Sequence, residues 1–150
     1  MAANAERGNA LTALLAKRWE QVSRKIERLA EILPEDGIER APVDGIRTYG
    51  AVLRHVAFWN QYVADCVAGK TADDASNELP LAQYATKASA IAALKRSSAA
   101  VGVAIRGRKT SWDPKTTELI VTFLEHTSEH YGQLAVYCRF MGLVPVASRG

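Results

Sequence analysis

The stretch SWDPKTTELIVTFLEHTSEHYGQLAVYCRFMGLVP, residues 111–145, decides the fold. Asp113 is a helix N-cap by residue type, Pro114 suits the first helical position, where no N–H is needed, and Gly142 and Pro145 stop the helix they begin. Between these signals Leu119, Phe123, His126, His130, Leu134, Tyr137 and Met141 recur every three or four residues. That period is one face of an α-helix running from about Pro114 to Met141. The face is apolar or aromatic except where it carries its two histidines.

Working back along the chain, the same period repeats. Leu81, Tyr84, Ala88, Ile91, Leu94, Ser98, Val101 and Ile105 mark a helix over about 81–105, rich in alanine and serine that permit close helix approach. A basic turn around Gly107 ends it. Thr48 is an N-cap for a helix from about Tyr49 to Ala68, whose stripe is Val52, His55, Trp59, Tyr62 and Cys66. Gly69 and the polar run KTADDASNELP close that helix. Leu11, Leu15, Val22, Ile26, Leu29 and Leu33 define a first helix over about 9–33, ended by Pro34 and the Asp36-Gly37 turn. No stretch alternates with the period of two that strands require. Four helices of similar length predict an all-α four-helix bundle, one domain over 1–150, with 1–8 and 146–150 frayed.

Composition agrees with a packed globular chain: 150 residues, 48% hydrophobic and 23% charged. Cys66 and Cys138 are too few and too far apart for a disulfide scaffold or a CxxC motif, so both are read as thiols in a reducing compartment. No signal-peptide layout opens the chain, and no uninterrupted apolar run approaches the roughly 18 residues a membrane span needs. A cytoplasmic protein that makes no use of membrane is expected. The net charge of +3 is concentrated near Arg106, Arg108, Lys109 and Lys115. A loop and helix end carrying cations is solvated and complements the helix dipole, so no nucleic-acid partner is expected.

The chain has three histidines, and all three fall on apolar stripes. Residues four apart on a helix are offset by about 40° and rise about 6 Å, which lets His126 and His130 converge on one ion. His55 from another helix would complete a three-imidazole set with coordination positions left open, as catalytic metal sites have. Taken singly, a buried histidine is more often a satisfied core group than a ligand; all three together favour a metal. Imidazole accepts zinc, nickel and iron alike, and metal binding requires its neutral form, so acid should release the ion. HTSEH, residues 126–130, also fits the H-x-x-E-H pattern of inverted zinc peptidases. No acidic ligand comes after it, and Glu129 lies about 100° from His130, so it is either a candidate acceptor behind an imidazole or a surface residue.

The run FLEHTSEHYGQLAVYCRFMGLVP resembles the C-terminal signature of the DinB-like four-helix-bundle superfamily, and TYGAVLRHVAFWNQYV is similar to that family's other ligand helix. The resemblance implies an up-down-down-up bundle with a long crossover. It also implies a divalent metal, nickel or zinc first and iron or manganese next, on His55, His126 and His130, and often a homodimer. Gly132 would then allow close helix packing, and Gln133 would brace either the site or the bundle. Relatives of this fold include transferases and isomerases that use low-molecular-weight thiols such as bacillithiol and mycothiol. The resemblance therefore implies a metal-dependent thiol transferase or hydrolase, its small-molecule thiol and electrophile held against Trp59 and Tyr62. Those two aromatics read first as bundle core and second as substrate contacts. The alternative is a stress-associated, metal-stabilised dimer without turnover.

Overall fold

The computed structural model describes residues 2–148, and the fraying expected at Met1 and at 149–150 lies outside the described residues. It contains four long helices: α1 (Ala2–Ile32), α2 (Tyr49–Val67), α3 (Lys87–Gly107) and α4 (Pro114–Phe140). Residues 2–8 are drawn into α1, and Val146–Ser148 forms a short 3-10 turn. The described residues contain no strand. α1 breaks before Pro34, which disfavours the helical conformation of the residue preceding it. Thr48 caps α2 by accepting from the Ala51 N–H at 3.1 Å, and Asp113 caps α4 by accepting from the Thr116 N–H at 2.9 Å. Gly142, at φ 73°, turns the chain out of α4, and the Leu143 N–H returns to the Cys138 carbonyl at 2.8 Å.

The third helix begins later than its apolar stripe predicts. Leu81–Gln83 form a separate 3-10 turn, and α3 starts after Thr86, which exchanges reciprocal capping bonds with Ser89. That capping box satisfies N–H groups that a continuous helix from Leu81 would have used, and Leu81 is left exposed.

The long axes of contact run α1 to α3, α1 to α4, α2 to α3 and α2 to α4, so α1 and α2 face each other across a diagonal. Lys95 pairs with Glu31 and Arg106 with Glu20, which makes α3 antiparallel to α1. Trp112 reaches Thr12 while Lys25 lies over the Tyr131 ring, which makes α4 parallel to α1. His55 meets His126 and Tyr49 meets Cys138, so α2 is antiparallel to α4. The order is up, down, down, up. Two parallel neighbours, α2 and α3, need a connection that climbs back along about 28 Å of helix, and residues 68–86 do this on the outside of α2.

Two apolar clusters fill the bundle. One joins Ile26, Leu29, Tyr49, Leu53, Leu94 and Leu134; the other joins Leu15, Trp19, Val63, Val101, Ile105 and Ile120. Trp19, absent from the stripe read in the sequence, fills the gap between Leu15 and Val22 and donates to the Ser98 carbonyl at 2.9 Å. A buried polar layer of Asn60, Ser97 and Ser98 sits beside it. α3 is apolar and long enough to pass for a membrane span by length and composition, yet its inner face is spent against α1 and α2. Gly132 does not serve close packing: a Cβ there would meet open space. The glycine that does is Gly50, where a Cβ would lie 2.9 Å from the Ile38 carbonyl and crowd Glu39 as well.

Candidate metal centre

α2 and α4 run side by side, and their stripes bring the three histidines together. The ligand-type nitrogens of His55, His126 and His130 lie within 4.8 Å of one another. Nε2 of His126 is 3.0 Å from Nε2 of His55 and 3.2 Å from Nε2 of His130. Two nitrogens bound to one zinc-sized ion at about 2.0–2.1 Å, at right to tetrahedral angles, are themselves about 2.8–3.4 Å apart. Both separations to His126 fit a shared ion.

The outer nitrogens fix which way the inner lone pairs point. Nδ1 of His55 lies 2.7 Å from the Asn77 backbone carbonyl, an acceptor only, so Nδ1 carries the proton and Nε2 presents a lone pair. Nδ1 of His130 lies 2.8 Å from Oε1 of Gln133, whose amide in turn donates to the Tyr137 hydroxyl at 2.8 Å. Two lone pairs thus converge on His126 Nε2. An N–H there can serve only one of them well, and Nδ1 of His126 is buried with no partner. Three imidazoles arranged in this way are a donor set that fits a cation.

Electrostatics point the same way. Burial pushes His55 down to about 4 against the opposing Asn77 bond, with the charges of His130 and Arg47 lowering it further. Burial likewise takes His126 down to about 4, aided by His130, His55 and Arg47. His130 is lowered by burial while its Gln133 bond opposes the shift. Near pH 7 all three are neutral, the form that binds metal.

Trp59 and Tyr62 stand in the same α2–α4 groove, both half-buried. The Trp59 ring lies 6.4 Å from His55, 5.1 Å from Tyr62 and 5.7 Å from Phe123, and Phe123 is 5.4 Å from His126. Trp59, Tyr62 and Phe123 therefore form one aromatic wall running up to the imidazoles. Glu129 is exposed and hydrogen-bonds none of the three rings. The outer positions it was a candidate for belong to Asn77 and Gln133. A cleft of about 470 Å³ between α1 and α3, lined by Trp19, Glu27 and Gly102, is on the opposite side of the bundle and includes none of the histidines.

Sequence reading missed Asn77, because a backbone acceptor 22 residues from its histidine leaves no side-chain pattern. Gln133 was visible, but its choice between site and bundle needed the structure: it braces His130. The two cysteines are free, Cys66 near the far end of α2 and Cys138 packed against the Tyr49 hydroxyl.

Fold and site together define a helical bundle with a three-histidine group that can hold a metal ion. The model of the DinB superfamily matches residues 18–134, a span that contains all three histidines and Gln133, and the chain belongs to that superfamily. No curated protein matches the chain.

Proposed function

We propose that His55, His126 and His130 hold a divalent metal, zinc or nickel first, and that the protein uses it to activate a low-molecular-weight thiol or water for transfer to a small electrophile. The convergence of three neutral imidazoles through Nε2 carries this reading. When bound, such an ion supplies Lewis acidity, lowering the pKa of a coordinated thiol or water near neutral pH. The chain supplies the rest. Asn77 and Gln133 hold protons on the outer nitrogens of His55 and His130 and so keep the inner lone pairs directed at one point. Trp59, Tyr62 and Phe123 offer an apolar surface beside that point and exclude water from one side of it.

A second reading, a metal-stabilised homodimer without turnover, is favoured by the outer face of α4, where Val136 and Phe140 are 53% and 67% exposed. One experiment separates the readings. Untagged protein is incubated with zinc or nickel, dialysed, and assayed with a panel of cellular thiols against a chromogenic electrophile, with and without chelator. Uptake near one equivalent, lost in His126→Ala with far-UV helicity retained, supports the metal centre, and uptake far below one equivalent refutes it. Chelator-sensitive turnover supports the enzyme; full metal occupancy without turnover across the panel selects the second reading.

A further inference from the structure

The crossover meets α2 chiefly through three consecutive residues, 77–79. The Asn77 carbonyl accepts from His55 and its side-chain oxygen accepts from Trp59 Nε1 at 2.9 Å. Glu78 pairs with Arg54 Nε at 3.0 Å, and the Leu79 N–H reaches the Arg54 carbonyl at 3.4 Å. Asn77 sits at φ 55°, a left-handed conformation that asparagine tolerates better than most residues. Outside this strap the segment 68–86 is largely exposed, save that the Tyr84 carbonyl also accepts from Arg54 Nη1 at 3.4 Å and the Leu79 and Tyr84 side chains pack on the core, so its height on α2 is set by these few contacts.

Arg54 is the unusual member. Its side chain is 3% exposed, and burying a guanidinium is costly unless it is paired. Two carboxylates from two different loops neutralise it. Glu39 takes it through both oxygens, at 2.6 and 3.3 Å, and accepts from the Thr48 hydroxyl at 2.8 Å, which ties that arm to the start of α2. Glu78 takes it from the crossover side. The peptide group whose oxygen accepts from His55 is the one that joins Asn77 to Glu78, so the Arg54–Glu78 pair pulls on the far end of that same rigid plane.

We infer that Arg54 and Glu78 are positioning residues for the three-histidine centre: their ion pair seats the Asn77 carbonyl on His55 and thereby sets the tautomer and angle of that ring. The inference rests on the reading of the histidines as a metal centre. Arg54 acts at two arms with different consequences. The Glu39 arm stabilises the α1–α2 loop, and the Glu78 arm reaches the site.

The two arms give the test an internal control. Zinc dissociation constants are measured by competition with a chromophoric chelator for wild type, Glu78→Gln, Glu78→Asp and Glu39→Gln, together with melting temperatures of the metal-free proteins and absorption spectra of their cobalt forms. Glu78→Gln is expected to weaken zinc about tenfold and alter the cobalt spectrum, as loss of an outer partner of a ligand histidine does. Glu78→Asp, which keeps the charge on a shorter stem, should fall between. Glu39→Gln should stay within about twofold of wild type in affinity while losing at least as much thermal stability as Glu78→Gln. The inference is overturned if both glutamine variants weaken zinc alike, or if Glu78→Gln lowers the melting temperature and leaves affinity and spectrum unchanged. If wild type itself takes up no zinc, nickel or cobalt, the metal reading falls and takes this inference with it.

Discussion

Acidifying the metal-free protein from pH 7 to pH 5 should weaken its fold, and the imidazoles set the size of the effect. His55, buried, titrates near 4 in the folded chain against about 6.5 when unfolded. The unfolded state therefore binds more protons throughout that window, so unfolding free energy falls as pH falls below about 6.5 and stops falling near 4. Between pH 7 and 5 the linkage amounts to about 2 kcal/mol for His55. His126 has the same direction and a similar value but is more accessible to water, so half of that, about 1 kcal/mol, is a fair share. His130 adds with the same sign. His55 and His126 together, at about 3 kcal/mol, correspond to a drop of roughly 6–12 °C in melting temperature for a chain of this size. Glu27 works in the opposite direction, because burial raises its carboxyl and protonating it favours the folded state. The measurement is therefore the difference between wild type and His55→Gln in urea titrations at pH 7 and 5 with EDTA present. The variant should lose about 2 kcal/mol of the acid-induced drop. Equal drops in both proteins, or a wild type more stable at pH 5, would refute the reasoning.

Gly132→Ala should raise the melting temperature, since its Cβ meets open space and alanine in a helix interior is favoured by about 1 kcal/mol; a decrease would show that a partner packs there. Gln133→Leu strands the Nδ1 proton of His130, and a chelator competition should find zinc bound about tenfold more weakly. At Asn77, glycine keeps the φ of 55° and loses only the Trp59 bond, whereas alanine loses that bond and adds about 1 kcal/mol of left-handed strain. Urea titrations should thus rank wild type above N77G and N77G above N77A.

The helices were legible because a helix writes its buried face into local spacing, and caps such as Thr48 and Asp113 act within one turn. The start of α3 was not, because Leu81 continues the apolar period while the reciprocal bonds of Thr86 and Ser89 interrupt it. The histidine pair on α4 was legible for the same local reason. That His55 meets it depends on α2 lying beside α4 and antiparallel to it, which periodicity does not state and the DinB resemblance did.

By itself, then, the sequence determined four amphipathic helices, their ends apart from the starts of α1 and α3, and three imidazoles on inward stripes, since all of these depend on residues within a few turns of one another. Only the tertiary structure decided what stands behind the imidazoles. Asn77 reaches His55 through a backbone oxygen, and Arg54 is held by carboxylates 15 and 24 residues away. Backbone acceptors look alike at every position in a sequence. Which of them faces a given ring is set by the path of the crossover along α2, and that path is fixed by contacts distant in the chain.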